Sequence, residues 1–301
     1  RKPDQDSRWP PDNIALPDVT ANNTRKPDRF DLARQICSFR GNRSSRKEDE
    51  MPSNNIGITP HVGPVTDVRN RGRGPGIWLA GDPEELKPWM PFSTGIVTNT
   101  VVQNELVKKY GLLTELIKRY LDITDLPVVV EIDGHTTDEL LDVGRVFTNM
   151  SKQIILKIPC TIHSLAAFRA LEAEGIETYC TTVFSLPQAA AVAQAGVTHI
   201  LPFCEPVKAA GGDPTKLVRE CVQMFSGWKN RPYITAALIR SVDTAHAALR
   251  DGADGIIIFW TVLRDMMQHT LTDQLNQTFM DEWVEMHQDG KLNDLPVKLP
   301  H

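Results

Sequence analysis

The sequence predicts an α/β protein with a (β/α)8 barrel of the TIM type, preceded by an irregular N-terminal extension. Three observations lead to this prediction: short β-branched runs alternate with amphipathic segments after residue 75, the runs number eight, and glycines end several of the amphipathic segments. Strict alternation favours a parallel sheet, and eight units in the last 226 of 301 residues fit a closed barrel, which takes about 250 residues. An open, doubly wound sheet is the competing arrangement, and the absence of a GxGxxG sequence after the first run disfavours it.

Residues 1–75 differ in composition from the rest of the chain. They carry a net charge of +4 and nine of the 21 prolines, whereas the remainder carries −9. They show no sustained helical or strand periodicity, so we expect them to be irregular or loosely packed, and residues 76–301 to form the barrel with a C-terminal helix. The total charge of −5 provides no basic field for nucleic acid, and no apolar run is long enough to cross a membrane.

The eight predicted strands are short and largely apolar, which indicates burial on both faces. They are residues 77–79, 95–98, 128–133, 154–159, 178–183, 198–203, 233–238 and 255–260. Thr136, Ser185 and Asp213 have the chemistry of N-cap residues and mark three helix starts. Gly175, Gly196 and Gly252 stand where the chain leaves a helix and turns back to the sheet.

The five cysteines form no CxxC pair, and the histidines near them do not have the spacing of a zinc site. This pattern predicts a reduced, cytoplasmic protein without a metal. The first residues show no apolar secretion signal, which agrees with that prediction.

Lys157 interrupts the apolar fourth strand, which reads IILKIP. Burial disfavours the ammonium form and lowers a lysine pKa from its ordinary value of about 10.4. A neutral amine adds to carbonyl groups, and Schiff-base catalysis needs such an amine near a strand end. The alternative is a structural lysine that pairs with a buried carboxylate.

Polar side chains at the ends of neighbouring strands predict a site around this amine. Glu131 and Asp133 share one face of the third strand, because side chains alternate along a strand. A carboxylate beside the amine moves protons or positions a water molecule. Thr181 on the fifth strand and the pair Thr98-Asn99 on the second supply hydroxyl and amide groups for a water or a substrate oxygen.

The chain resembles the transaldolase family, including its small fructose-6-phosphate-aldolase-like branch. The matching segments are KIP at 157–159, AEGI at 173–176, TTVFS at 181–185, AGV at 195–197 and PF at 202–203. The resemblance runs from about residue 77 to about residue 286 and is strongest over 128–203. It implies a class I, Schiff-base enzyme on a (β/α)8 barrel, without metal or organic cofactor, that assembles into a homo-oligomer.

The resemblance also implies roles for the matched residues. Lys157 is the amine that condenses with a ketone or aldehyde, Glu131 activates the catalytic water, and Thr181 helps to hold that water. Asn99 matches the asparagine of a Thr-Asn-Pro element whose proline is a threonine here. The family's acid/base aspartate on the first strand has Asp82 as its counterpart only if one residue is deleted before Asn99.

The family's phosphate-binding pattern is only half present. Pro206 stands at the position of an arginine and Leu238 at that of a serine, while Arg240 is retained. A charged hydrogen bond from such an arginine contributes roughly 1.5 to 3 kcal/mol, so its loss weakens phosphosugar binding. The substrate-binding residues that we predict are Thr98, Leu201, Phe203, Leu238, Arg240 and Trp260.

Three functions follow as hypotheses. The leading one is an aldolase or transaldolase-like enzyme that makes or breaks a C–C bond in a small carbonyl substrate, one that is not a phosphosugar and is apolar or aromatic. The second is a transaldolase acting on sugar phosphates, with Arg240 and Lys208 replacing the lost charge. The third is a non-catalytic barrel that serves as a scaffold.

The C-terminal helix is predicted to present one apolar stripe. Phe279, Trp283 and Met286 recur at spacings of four and three residues. The stripe packs either on a second copy of the chain or on its own barrel, and the sequence does not choose between the two.

Overall fold

The computed structural model describes residues 75–296. The N-terminal extension predicted for residues 1–75 lies outside the described residues apart from Pro75, and so does Cys37. The described residues belong to two compact units, one that includes residues 75–274 and one that includes residues 275–296.

The first unit is a closed barrel of eight parallel strands, which confirms the predicted fold class. Each strand pairs with the next one in sequence, and the last pairs with the first, so this sheet has no free edge. The strands are β1 (Gly76–Ala80), β2 (Gly95–Val97), β3 (Val128–Glu131), β4 (Ile154–Pro159), β5 (Thr178–Val183), β6 (His199–Pro202), β7 (Tyr233–Ile239) and β8 (Gly255–Phe259). All eight coincide with predicted runs, and their ends differ from the prediction by two residues at most.

Helices connect the strands. They are α1 (Pro83–Leu86), α2 (Thr100–Tyr110), α3 (Leu113–Ile123), α4 (Thr137–Thr148), α5 (Ile162–Ala173), α6 (Leu186–Gln194), α7 (Glu205–Ala209), α8 (Lys216–Phe225), α9 (Val242–Arg250), α10 (Trp260–Met266) and α11 (Thr270–Gln288), with a 3-10 helix at Lys87–Phe92. Two predicted caps are confirmed, since the Thr136 and Ser185 hydroxyls accept from the backbone N–H groups of Glu139 and Gln188. The cap predicted at Asp213 is wrong, because α8 begins at Lys216 with Thr215 in the N-cap position.

Side chains of the strands alternate between the barrel interior and the helix layer. The interior cluster consists of Trp78, Val97, Val129, Ile155, Tyr179, Leu201, Ala237 and Ile257. A larger cluster packs between the outer face of the sheet and the helices. Glu131, Lys157 and Thr181 each lie two residues beyond a member of the interior cluster, so the period of two points them inward as well.

The barrel interior is aromatic on the N-terminal side of these polar residues. Trp78 packs edge-on against Tyr179 and His199, with ring centroids 5.6 and 6.0 Å away. Gly95 makes room for Trp78, because a Cβ atom there would lie 2.7 Å from the indole and 2.5 Å from the Pro127 carbonyl oxygen. Only glycine fits such a close approach.

Strands β5 and β7 each carry a register irregularity near the carboxyl end, between Cys180 and Val183 in β5 and within residues 236–239 of β7. Inside each irregularity a non-glycine residue adopts the left-handed conformation: Thr182 with φ 55° and Leu238 with φ 54°. This conformation costs about 1 to 2 kcal/mol per residue, which the surrounding barrel has to offset.

The four cysteines within residues 75–296, Cys160, Cys180, Cys204 and Cys221, are free thiols. No group of side chains in the range has the composition of a metal site. No helix of the range is long and apolar enough to cross a membrane.

The predicted apolar stripe lies on α11 in the second unit. Phe279, Trp283 and Met286 are 60%, 37% and 40% exposed. Self-association through this stripe stays a prediction, as does the cytoplasmic location.

Candidate active site

A cavity of about 450 Å³ lies at the carboxyl ends of the barrel strands. Functional groups of (β/α)8 barrels stand at this end. Nine of the eleven predicted site residues line the cavity: Thr98, Asn99, Glu131, Lys157, Thr181, Leu201, Phe203, Leu238 and Arg240. The two others, Asp82 and Trp260, do not.

Lys157 and Glu131 form a buried pair in this cavity. They are opposite one another in the register of β3 and β4, and the Lys157 Nζ donates a hydrogen bond to Glu131 Oε2. Their exposed fractions are only 3% and 7%. The predicted pairing of the amine with a carboxylate is therefore present.

Burial weakens the charge of both partners. Desolvation lowers the pKa of Lys157 below its ordinary value, although the nearby Glu131 carboxylate opposes this shift. Desolvation likewise raises the pKa of Glu131, and Lys157 offsets only part of the increase. The cavity thus favours a neutral amine at a pH where an exposed lysine is an ammonium ion.

Thr181 presents a buried hydroxyl beside this pair. The residue is 0% exposed, and its Oγ1 makes no hydrogen bond within residues 75–296. A buried hydroxyl without a partner costs free energy, so it indicates a binding position for an oxygen atom.

Thr98 lines the cavity but has no hydrogen-bonding capacity left for a substrate. Its hydroxyl donates to the Val129 carbonyl oxygen (3.1 Å) and accepts from the Glu131 N–H (3.0 Å) and from Gln103 Nε2 (2.8 Å). A hydroxyl offers one donor and two acceptor positions, so all three are used. The expectation that Thr98 holds a substrate oxygen is corrected: its hydroxyl supports β3.

Asn99 has two tasks. Its Oδ1 accepts from the Val102 N–H (2.9 Å) and caps α2, and the residue also lines the cavity. Its side-chain nitrogen makes no hydrogen bond to any of residues 75–296 and is therefore the group that can contact a ligand.

Asp82 is outside the cavity, where Ala80 provides the wall at the end of β1. The Asp82 carboxylate accepts from the Glu84 N–H (2.9 Å) and the Tyr110 hydroxyl (2.7 Å) and pairs with Lys109 (3.0 Å). Burial raises the pKa of Asp82, but these hydrogen bonds outweigh it and hold the pKa below its ordinary value. The structure therefore does not bring Asp82 to Lys157 as the missing acid/base.

Trp260 is also outside the cavity, because β8 ends at Phe259 and Trp260 begins α10. Its ring stacks on Trp89 with centroids 5.7 Å apart, and its Nε1 donates to Glu85 (3.0 Å). Phe259 lines the cavity and Trp260 does not, and contact of Trp260 with a substrate stays a prediction.

The rest of the wall is largely apolar. Its apolar members are Ala80, Val97, Val101, Val102, Leu201, Phe203, Ala237, Leu238, Ile239, Ile257, Ile258 and Phe259. Arg240 is the one cation among the lining residues besides Lys157, and it is exposed. Lys208 instead donates to Thr244 (3.2 Å) and Ser241 (3.4 Å) and does not line the cavity.

Gln103 on α2 was not predicted from the sequence. Its buried side-chain amide donates to the Thr98 hydroxyl and to the Glu131 carbonyl oxygen (3.1 Å). No signal in the sequence separates Gln103 from its exposed polar neighbours Asn104 and Glu105.

The fold and the site define a (β/α)8 barrel with a buried lysine and carboxyl pair at the carboxyl ends of its strands. Residues 100–296 match the family described as Transaldolase/Fructose-6-phosphate aldolase. The chain belongs to this family.

Curated relatives have matching names at moderate identity. A "Probable transaldolase" of Thermoplasma volcanium is 32% identical over 200 residues, which is 65% of this chain and 88% of the relative. Proteins of the same name from Aquifex aeolicus and Bartonella quintana are each 30% identical, over 67% and 68% of this chain and 93% and 94% of their own lengths.

Proposed function

We propose that the protein is a lysine-dependent aldolase of the transaldolase type that cleaves or forms a C–C bond in a non-phosphorylated, apolar or aromatic carbonyl compound. The observation that carries the proposal is the Lys157–Glu131 pair, buried in a largely apolar cavity. Family membership and the names of the relatives support the transaldolase type.

The first half of the reaction uses both members of the pair. The neutral Lys157 amine adds to the carbonyl carbon, so a C–N bond forms and the C=O π bond breaks, and a proton passes from the nitrogen to the oxygen to give a carbinolamine. Glu131 then gives its proton to the carbinolamine hydroxyl, which leaves as water, while the nitrogen lone pair completes the iminium double bond.

The second half breaks the C–C bond. Glu131, now a carboxylate, takes the proton of the β-hydroxyl group through a water molecule, which the Thr181 hydroxyl holds. The C–C bond breaks, and its electron pair forms the C=C bond of an enamine while the π electrons of the iminium return to the nitrogen. An aldehyde leaves, and the enamine remains on Lys157. Protonation and hydrolysis of the enamine restore the amine.

The apolar wall supports the choice of substrate. Leu238 and Phe203 line the cavity, and Pro206, which stands at the position of an arginine in the resemblance described above, has no charge. Arg240 is the observation that favours sugar phosphates as a second candidate, because an exposed guanidinium at the cavity attracts an anion.

One experiment compares the two candidates on the whole chain. The probes are a naphthyl-bearing β-hydroxyketone, whose cleavage releases a fluorescent aldehyde, and the transfer between fructose 6-phosphate and erythrose 4-phosphate. We expect cleavage of the ketone, and a covalent mass on Lys157 after borohydride reduction with it. If the protein transfers between the sugar phosphates faster than it cleaves the ketone, the apolar substrate is rejected. If it converts neither probe and forms no covalent adduct with either, the protein is a scaffold.

Leu238→Ser is expected to lower kcat/KM for the naphthyl ketone by about 10- to 30-fold, because a buried leucine contact contributes about 2 kcal/mol. Leu271→Ser is the matched control, since Leu271 is 54% exposed and lies on α11. Equal rates for the two variants would remove Leu238 from the substrate contact.

Thr181→Val is expected to reduce turnover of the same ketone by roughly 10- to 100-fold without lowering the midpoint of thermal unfolding. The hydroxyl makes no hydrogen bond within the described residues, so a methyl group of equal size costs the fold nothing. A variant that unfolds earlier and keeps full activity would show that the hydroxyl is structural.

A further inference from the structure

Gln103 is a polar side chain in a buried position of α2. It is 4% exposed, and its Nε2 donates to two acceptors, the Thr98 hydroxyl (2.8 Å) and the Glu131 backbone oxygen (3.1 Å). Burying an amide costs free energy unless it is hydrogen-bonded, and here both hydrogens of the nitrogen are directed at acceptors. Neither acceptor belongs to α2.

Together Gln103 and Thr98 fix the backbone on both sides of the Glu131 side chain. Thr98 accepts from the Glu131 N–H (3.0 Å), and Gln103 donates to the Glu131 carbonyl oxygen. Glu131 is the last residue of β3 and thus lies where the regular strand ends. Side chains from β2 and α2 therefore hold the residue whose carboxyl group contacts Lys157.

We propose that Gln103 is a positioning residue, which acts through Thr98 and the Glu131 backbone to keep the Glu131 carboxyl group against the Lys157 amine. The proposal rests on the function assigned above to that pair. Gln103 does not line the cavity, so it acts on the reaction only through Glu131.

Acetylacetone tests the amine separately from turnover, because this diketone forms an absorbing enaminone with a neutral lysine. Gln103→Met removes both donors and keeps the length of the side chain. We expect enaminone formation at Lys157 to reach completion, while kcat for the naphthyl ketone falls by about 10- to 100-fold and KM changes by less than about twofold.

The pH dependence separates positioning from loosening of the fold. Two carboxylates favour the Lys157 ammonium, Glu131 by direct contact and Asp133 through its charge. Gln103→Met leaves Asp133 in place, so a weaker contact with Glu131 lowers the lysine pKa further. The midpoint of enaminone formation should therefore move to lower pH although turnover is slower. A loosened fold would instead reduce the amplitude of both readouts.

Gln153 provides a matched control. Its Nε2 donates to the backbone oxygens of Thr124 (2.9 Å) and Leu126 (3.1 Å), next to the opposite end of β4. Gln153→Met should keep the wild-type kcat and pH midpoint whatever it does to stability. If Gln103→Met and Gln153→Met have the same kcat and the same midpoint, the proposal is wrong.

Thr98→Val tests the same connection if Gln103→Met does not fold. It removes the hydroxyl that joins Gln103 to the Glu131 N–H and should show the same lower midpoint and lower kcat. Where both variants fold, their effects on kcat should be less than additive in the double variant, because they act through one network. Additive effects, or an unchanged midpoint in Thr98→Val, overturn the proposal.

If the enaminone fails to form in the wild-type chain, the proposed function is wrong, and this result does not depend on Gln103.

Discussion

Lys157→Met is expected to abolish cleavage of the naphthyl ketone, with a loss of at least about 1,000-fold, because the residue supplies the atom that bonds to the substrate. Removing one member of a buried pair costs about 3 to 5 kcal/mol when the other member stays charged, so the fold should persist only because Glu131 takes up a proton. Without Lys157, the pKa of Glu131 should rise further, and its carboxyl group should stay neutral in the apolar cavity.

The measurement combines turnover, mass spectrometry after borohydride reduction, and thermal unfolding. Lys152→Met is the control, because Lys152 is an exposed lysine just before β4 and does not line the cavity. We expect the control to trap substrate and turn over as the wild type does. Trapping on another lysine in Lys157→Met, or cleavage that survives the substitution, would refute the assignment.

Glu131→Gln is expected to give the second largest effect, a loss of turnover of about 100- to 10,000-fold, the usual contribution of a positioned proton donor and acceptor. The amide keeps the shape of the side chain but neither gives nor takes a proton. Lys157 remains, so borohydride should still trap a Schiff base, although more slowly.

The pH dependence of this variant has a defined sign. The Glu131 carboxylate raises the pKa of Lys157, so its removal should lower that pKa and move the midpoint of enaminone formation to lower pH. Asp138→Asn is the matched control, because Asp138 is an exposed carboxylate on α4 that does not line the cavity and does not act on Lys157. If both variants lose the same activity, Glu131 has no special role in proton transfer.

The pattern of the sequence was enough to place Lys157, Glu131 and Thr181 in one cavity. Each follows an apolar residue by two positions on a central strand, and the period of a strand then fixes the face on which it lies. Closure of eight parallel strands brings these faces together, so the core of the site could be predicted without coordinates.

The outer parts of the site depended on where strands end. Asp82 comes two residues after β1 and Trp260 comes directly after β8. At these positions Asp82 contacts Lys109 and Trp260 contacts Trp89, and neither residue lines the cavity. A periodic pattern predicts the direction of a side chain inside a strand, but it does not predict the direction of a side chain beyond the end of that strand. The saturated hydroxyl of Thr98 and its contact with Gln103 depend on distances between elements, which no spacing in the sequence encodes.

Because Asp82 is tied to Lys109 and Tyr110, Glu131 is the one carboxyl group among the residues that line the cavity. In the proposed reaction it has to give up its proton before it can accept another, so dehydration and bond cleavage cannot overlap in time. Burial lowers the pKa of Lys157 and raises that of Glu131, which disfavours the charged forms of the resting pair. The iminium stage instead places a cation and an anion side by side in apolar surroundings, where they attract each other strongly. The Lys157 iminium and the Glu131 carboxylate would thus form an ion pair once in each turnover, and this pair would be neutralised when hydrolysis restores the amine.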